Sequence, residues 1–259
     1  MQESFLISGV ASGLGKYLHR ALSGAGWTRD LSEEQRQSIR QEGADVIIHC
    51  AFNSRQQITS ANLHDYFSDN VFLTQELAAI PHRKFIYIST VDVYPRSEGK
   101  FSEDVLIDAG EVRGIYAISK LVSEGVVQAR CSNHLILRCA TLLGPDMRKN
   151  SLLRIAEDNP CILTVAGESR FNYVLHADIA GFISFAIEMN LRGIYNVASA
   201  SCVTLAEVAQ MFDKPVKFGS FLYDVGTVDN RKAADIFPAF RKTSLETIRQ
   251  FIGQRWQGL

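Results

Sequence analysis

Hydrophobic positions along the chain fall into two alternating patterns. Short unbroken apolar runs, "SFLIS" (4–8), "ADVIIHCAF" (44–52), "KFIYIS" (84–89) and "HLILR" (134–138), are separated by stretches with apolar residues three and four apart. Runs of four to eight Val, Ile and Leu read as strands buried on both faces, which occur in parallel sheets covered by helices. The longer spacing predicts helices over about 13–23 and 62–79, and another beginning near Tyr116. The expected fold class is α/β, a doubly wound parallel sheet with helices on both sides.

Beyond "LRCATLLGP" (137–145) the pattern loosens, and Gly144-Pro145 punctuates the change. Shorter strand candidates, "CILTV" (161–165) and "IYNVA" (194–198), mix with helical spacing near 177–189, 205–212 and 244–252. The expected organisation is a first domain over 1–144 and a smaller C-terminal lobe over 145–259, partly interleaved with it.

Composition narrows the function classes. With 46% apolar and 21% charged residues over 259 positions, the chain is an ordinary globular one. A formal net charge of −1 gives no bias toward nucleic acid or an anionic membrane surface. No apolar run approaches the ~20 residues needed to span a bilayer, and no signal-peptide pattern precedes "SFLIS", so a cytoplasmic protein is expected. Five cysteines make no Cys-x-x-Cys and keep no ligand spacing with the six histidines. They read as buried thiols, and no metal is expected.

Two motifs carry chemistry. "SGVASGLGK" places Gly9, Gly13 and Gly15 directly after the first strand and at the opening of a helix. Glycines there permit a tight turn and a close backbone approach to a pyrophosphate, which the helix N–H groups then hold. The spacing Gly-x-x-x-Gly-x-Gly lacks the Gly-Lys-Ser/Thr ending of an ATP-binding loop. In "YAISK", Tyr116 and Lys120 sit one helical turn apart on the same face. A phenol titrates near pH 10, so bringing it to about 7 takes roughly 4 kcal/mol of differential stabilisation. A neighbouring ammonium favours the phenolate and is one source of it.

With both motifs in hand, the chain resembles the extended short-chain dehydrogenase/reductase superfamily, in particular its NAD-dependent epimerases and dehydratases that act largely on nucleotide sugars. The resemblance runs in order through "ISGVASGLG", "DVIIHCAF", "DNVFLTQELA", "FIYISTVDVYP", "YAISK", "LRCATLLGP", "NYVLHADIAGFI", "GIYNVAS" and "VDNRKAADIF". It implies a Rossmann-like fold, NAD or NADP as cofactor, a sugar or nucleotide-sugar substrate and a homodimer formed through the helices of 67–79 and 116–129. It implies a catalytic set of Thr90, Tyr116 and Lys120, with Asn70 placing the central helix and its polar network. Cofactor contacts are implied at Gly9, Ser12, Gly13, Leu14 and Gly15, at Cys50, Ala51 and Phe52 on the adenosine side, and at Ser89, Tyr116, Lys120, Cys139 and Thr141, with Ala140, toward the nicotinamide.

Several positions depart from the family pattern. Between the first helix and "ADVIIHC" lies "GWTRDLSEEQRQSIRQEG", in which no second strand with a terminal acid is evident. Either Asp30 meets the adenosine, or Arg29 meets a 2′-phosphate, or neither touches cofactor. Pro95 stands for the usual glycine, Val91-Asp92 for the Asp-Glu of dehydratases, and Phe171, next to Arg170, for an arginine. Bland roles stand beside the functional ones: Thr90 as a strand-end hydroxyl, and His49 and His176 as packed polar groups. Tyr94 is a candidate wall of the substrate pocket and Asp178 a helix N-cap. Arg231 and Lys232 are either phosphate contacts or an exposed charge run. The leading reading is an NAD(P)-dependent epimerase or reductase acting on a sugar. The other is a dinucleotide-binding sensor or scaffold without turnover.

Overall fold

The computed structural model describes residues 3–55 and 57–256. Six parallel strands form its central sheet: β1 (Phe5–Ser8), β2 (Ala25–Trp27), β3 (Ala44–His49), β4 (His82–Thr90), β5 (His134–Cys139) and β6 (Gly193–Val197). Their order across the sheet is β2-β1-β3-β4-β5-β6. Alternation along each strand divides the side chains between two cores. On one face Ile7, Ile48, Ile86, Ile88 and Leu137 pack beneath helices α1 (Gly13–Leu22) and His176–Glu188, through Leu14, Leu18, Ile179 and Phe182. On the other, Leu6, Ile47, Phe85, Tyr87 and Ile136 pack against Leu77 of the helical stretch 63–78 and Val127 of the helix Gly114–Arg130. The expected doubly wound sheet is present.

The second strand, not evident in the sequence, exists. β2 has three residues and lies parallel to β1, with Leu6 opposite Ala25 and Ser8 opposite Trp27. It escapes a pattern search because "AGW" has no β-branched residue; pairing with β1, not intrinsic preference, makes it a strand. Gly24 is required beside it, since a Cβ there would lie 2.7 Å from Phe5 Cβ. The next helix, α2 (Glu33–Glu42), opens on a capping box, Ser32 with Gln35, whose "SEEQ" signature is readable in the sequence.

Strand β6 lies beyond residue 145 yet completes the central sheet beside β5. Helix His176–Glu188, Ala233 and Phe240 pack onto the sheet core, and much of the remaining region packs around its own core of Leu152, Ile155, Leu163, Leu205, Val208 and Ile248. Its strands are short: Tyr173–Leu175 runs parallel to Thr141–Leu143, and "CILTV" contributes Cys161–Ile162, paired with Val216–Lys217, and a single bridge from Val165 to Phe221. Asp178 is not an N-cap, because the helix begins at His176 with Leu175 as its cap. Its carboxylate instead accepts from Lys242 Nζ at 2.6 Å. No described helix is long and apolar enough to cross a membrane.

Glycine geometry at α1 yields a paired test. A Cβ on Gly15 would lie 2.3 Å from the Gly9 carbonyl oxygen, whereas one on Gly125, exposed in its helix, meets nothing within 4 Å. Urea unfolding of Gly15→Ala should show a loss of about 1–3 kcal/mol from overpacking. Gly125→Ala should gain about 0.5–1 kcal/mol from the lost backbone entropy of glycine.

Candidate active site

Winding reverses between β1 and β3, and in such sheets the crevice at the carboxyl ends of the two strands is the place for a ligand. Here the two ends touch. Gly9 has φ +77°, and a Cβ on it would sit 2.7 Å from Ala51 N. From this contact a cleft of about 1230 Å³ extends along the strand ends. Gly9, Ser12, Gly13, Leu14, Gly15, Asp30, Cys50, Ala51, Phe52, Ser89, Cys139 and Thr141 line it, together with Thr90, Tyr116 and Lys120.

The glycine turn fits a dinucleotide's pyrophosphate. Gly13 opens α1 at φ +56° with open space where its Cβ would be, and Ser12 makes no side-chain cap. The first-turn N–H groups and the positive end of the helix therefore face the cleft. Gly13 N–H itself donates to Asp146 O at 2.8 Å, and the Asp146 carboxylate pairs with Lys16 and Arg20. A loop after Pro145 is thereby fastened to α1, and Arg148 bonds Ser54 on the other side of the cleft.

At the end of the cleft beside β2, Asp30, Thr28 and Arg36 line the wall. Arg36 is committed to the Thr28, Arg29 and Leu31 carbonyls and stacks 5.1 Å over Trp27. Arg29, a candidate for a 2′-phosphate, bonds Asp69 at 2.7 Å. Asp69 lies in a π-helical turn, Ser68–Phe72, that interrupts the helical stretch 63–78. That turn sends Asn70 inward, where it accepts from Asn53 N–H at 2.7 Å and donates to Asn53 O at 3.2 Å. Asn70 thus clamps the loop after β3 and does not line the cleft.

Thr90, Tyr116 and Lys120 do converge. Thr90 Oγ1 accepts from Asp92 N–H at 3.2 Å and donates to Asp92 Oδ2 at 3.3 Å, and its hydroxyl favours the ionised form of the nearby Tyr116 phenol. Its strand-end role and its place beside the tyrosine are both real. Lys120 Nζ donates to Ile88 O at 2.7 Å and lies 4.5 Å over the Phe52 ring. Phe52 also meets the Tyr116 ring edge to face at 5.0 Å. Burial lowers Lys120 to about 8, so its charge is held at a cost. The expected depressed phenol is not found: although 39% of the Tyr116 surface remains exposed, desolvation around its hydroxyl first, then the Asp92 carboxylate, push the phenol up, and the lysine one turn away does not reverse them. Burial likewise raises the Cys50 thiol to about 12 and raises Cys139, leaving both protonated. All five cysteines are free, and Cys131, Cys139 and Cys161 are buried.

Beneath these groups lies a polar network that the sequence reading did not contain. Glu124, one turn beyond Lys120, takes a bidentate contact from Arg138 of β5 and accepts from Ser89. Arg138 also donates to the Tyr94 hydroxyl at 3.0 Å, which bonds Asn196 of β6 at 2.8 Å. Tyr94 is fully buried here and is no wall of the pocket. Arg231 is held by Asp229, and Lys232 donates to Ile194 O and covers the Tyr195 ring; neither lines the cleft. Asp92 and Tyr223 do line it. Among the described residues no cluster of His, Cys, Asp or Glu could hold a metal.

Comparisons agree with this geometry. The family model for NAD-dependent epimerases/dehydratases matches residues 5–198. No curated protein sequence matches the chain. Among solved structures, MoeE5 in complex with UDP-glucuronic acid and NAD superposes with TM-score 0.80 at 20% identity, covering 99% of this chain and 100% of that one. The UDP-glucuronic acid 4-epimerase of Bacillus cereus, with UDP-glucuronic acid and NAD, gives 0.76 at 20%, covering 98% and 100%. The dTDP-4-dehydrorhamnose reductase of Bacillus anthracis, with NADP, gives 0.82 at 19%, covering all of both chains. At these identities the likeness is one of fold.

Two histidines make the fold acid-sensitive. His49 is buried between Ser8 Oγ and Thr74 Oγ1, and burial lowers its pKa to about 3; burial lowers His176 to about 4. Unfolded, both titrate near 6.5. The unfolded chain thus binds more protons between those values, so stability is complete above pH 6.5 and is lost as pH falls toward 3–4. Unfolding free energy should drop by about 1 kcal/mol per pH unit for each histidine between pH 6 and 4. His49→Gln should make that slope shallower by one histidine's share; an unchanged slope would contradict the assignment.

Proposed function

The chain belongs to the NAD-dependent epimerase/dehydratase family, and from that premise we propose that it is an NAD(P)-dependent epimerase or reductase of a sugar, carried on a nucleotide. The observation that carries this reading is the convergence of Thr90, Tyr116 and Lys120 in the cleft that the glycine turn opens. The nucleotide-sugar complexes of structures with the same fold support the substrate class.

In this reading the turn at Gly9, Gly13 and Gly15 holds the pyrophosphate, Asp30 and the Cys50–Phe52 segment border the adenosine, and Cys139 and Thr141 border the nicotinamide. When bound, the dinucleotide supplies the hydride chemistry. The protein's task is the proton. Tyr116 is the acid–base, and Thr90, lining the same cleft and anchored by Asp92, aligns the substrate oxygen beside it. Lys120 spends one of its three donors on Ile88 O and has two left for ribose hydroxyls. A neutral phenol at pH 7 is the state that donates a proton to a sugar carbonyl. Accepting one back requires a positive charge beyond Lys120, and an oxidised nicotinamide ring is positively charged.

The region after Pro145, apart from β6, supplies the substrate side of the cleft through Met147, Arg148, Asn150, His176 and Tyr223. Exposed Phe72, Ile118 and Val122 on the two helices of one sheet face support pairing with a second copy there. Five unpaired thiols support a reducing cytosol.

Tyr116→Phe tests the reading. The variant should bind NAD or NADP as the wild type does by calorimetry and lose at least about a hundredfold in turnover on nucleotide sugars. An epimerase will keep bound NAD and consume none, whereas a reductase will oxidise added NADPH stoichiometrically. Equal rates in variant and wild type would remove Tyr116 from the chemistry.

A further inference from the structure

The substrate end of the cleft carries a carboxylate that the chemistry above uses only as an anchor. Asp92, with its side chain 17% exposed, lines the same cleft as Thr90 and Tyr116. Its Oδ2 accepts from Thr90 Oγ1 at 3.3 Å and its Oδ1 from the Tyr223 phenol at 3.0 Å. Tyr223 comes from a segment 131 residues further along the chain and is stacked on Phe171 with ring centroids 4.6 Å apart. The nearby cation, Arg96, reaches Asp92 Oδ1 only at 3.5 Å. It lies against the Tyr223 and Phe221 rings, 5.0 and 5.7 Å from their centroids, and does not line the cleft. A ligand hydrogen-bonded to Thr90 therefore meets the carboxylate and the phenol before the Arg96 guanidinium.

Position gives that carboxylate a say in what binds. A substrate oxygen hydrogen-bonded to Thr90 sits about 2.8 Å from Oγ1, hence within about 6 Å of Asp92 Oδ2. An ionised carboxylate accepts hydrogen bonds and donates none. Sugar hydroxyls complement it. A sugar carboxylate offers no donor and brings a second negative charge into a partly desolvated cleft, where like charges repel far more than in water.

Resting on the nucleotide-sugar reading above, we propose that Asp92, steadied by Tyr223, makes this chain selective for neutral, hydroxyl-bearing sugars and disfavours uronic acids. Within a pair that differs only at the sugar carboxylate the nucleotide is constant, so affinity ratios isolate the effect.

The experiment uses dinucleotide-loaded protein and three such pairs: UDP-glucose with UDP-glucuronic acid, UDP-galactose with UDP-galacturonic acid, and GDP-mannose with GDP-mannuronic acid. By calorimetry the neutral member of any pair that binds should be at least tenfold tighter. In Asp92→Asn, which keeps the shape and removes the charge, that ratio should shrink below threefold. A uronate that binds wild type as well as or better than its partner overturns the proposal, and so does a ratio that Asp92→Asn leaves unmoved. The wild-type ratio decides the matter should the variant fail to fold. If none of the six binds a protein that still takes up dinucleotide, the nucleotide-sugar reading itself fails, a result distinct from a bound uronate.

Discussion

Glu124 and Arg138 form an ion pair almost without access to water, at 0% and 4% exposure, and the active-site geometry rests on it. The pair joins the helix that carries Tyr116 and Lys120 to β5, and through Ser89 and Tyr94 to β4 and the segment after it. Desolvating two charges costs several kcal/mol, and their attraction offsets that only when every remaining donor and acceptor is satisfied. Here Glu124 accepts from both a guanidinium and a hydroxyl, and Arg138 spends a further donor on a phenol. An apolar contact of equal volume would hold the helix against the sheet as firmly. A directional pair also fixes its rotation and its position along the axis, and these determine where Tyr116 and Lys120 point.

Above that base the cleft is electrostatically unfinished. Burial holds Lys120 near 8 and pushes the Tyr116 phenol up, with Asp92 adding to the effect. A lysine one turn away from a tyrosine is therefore not by itself a base-making device. Its ammonium is turned to a backbone carbonyl and an aromatic face, and the same burial that would strengthen its field on the phenol also penalises its own charge. In the proposed reaction the tyrosine starts as an acid, becoming a base depends on positive charge arriving with a ligand, and proton transfer is thereby coupled to dinucleotide occupancy.

Shortness of the second strand is absorbed without loss of the cleft. β2 is three residues long, yet it ends where Thr28, Arg29 and Asp30 line the cleft, and Arg36 from the following helix ties that turn together through three carbonyls. The segment in which the sequence shows no evident strand thus delivers one wall of the cleft.

The sequence determined the class of fold, the glycine turn and the Tyr116–Lys120 spacing, because these depend on local periodicity and on the turn that follows a strand end; the further cofactor contacts rested on the family resemblance. β2 lay outside its reach, since a strand of Ala, Gly and Trp exists only by pairing with β1. So did the roles of Tyr94, Asp178 and Asn70, whose partners are distant along the chain or arise from a π-helical turn. Asp92 was visible as a departure from a motif, but its meeting with Tyr223, 131 residues away, was decided by tertiary structure alone. Hydrogen-bond partners and burial set a side chain's chemistry, and both are properties of the packed chain rather than of its order.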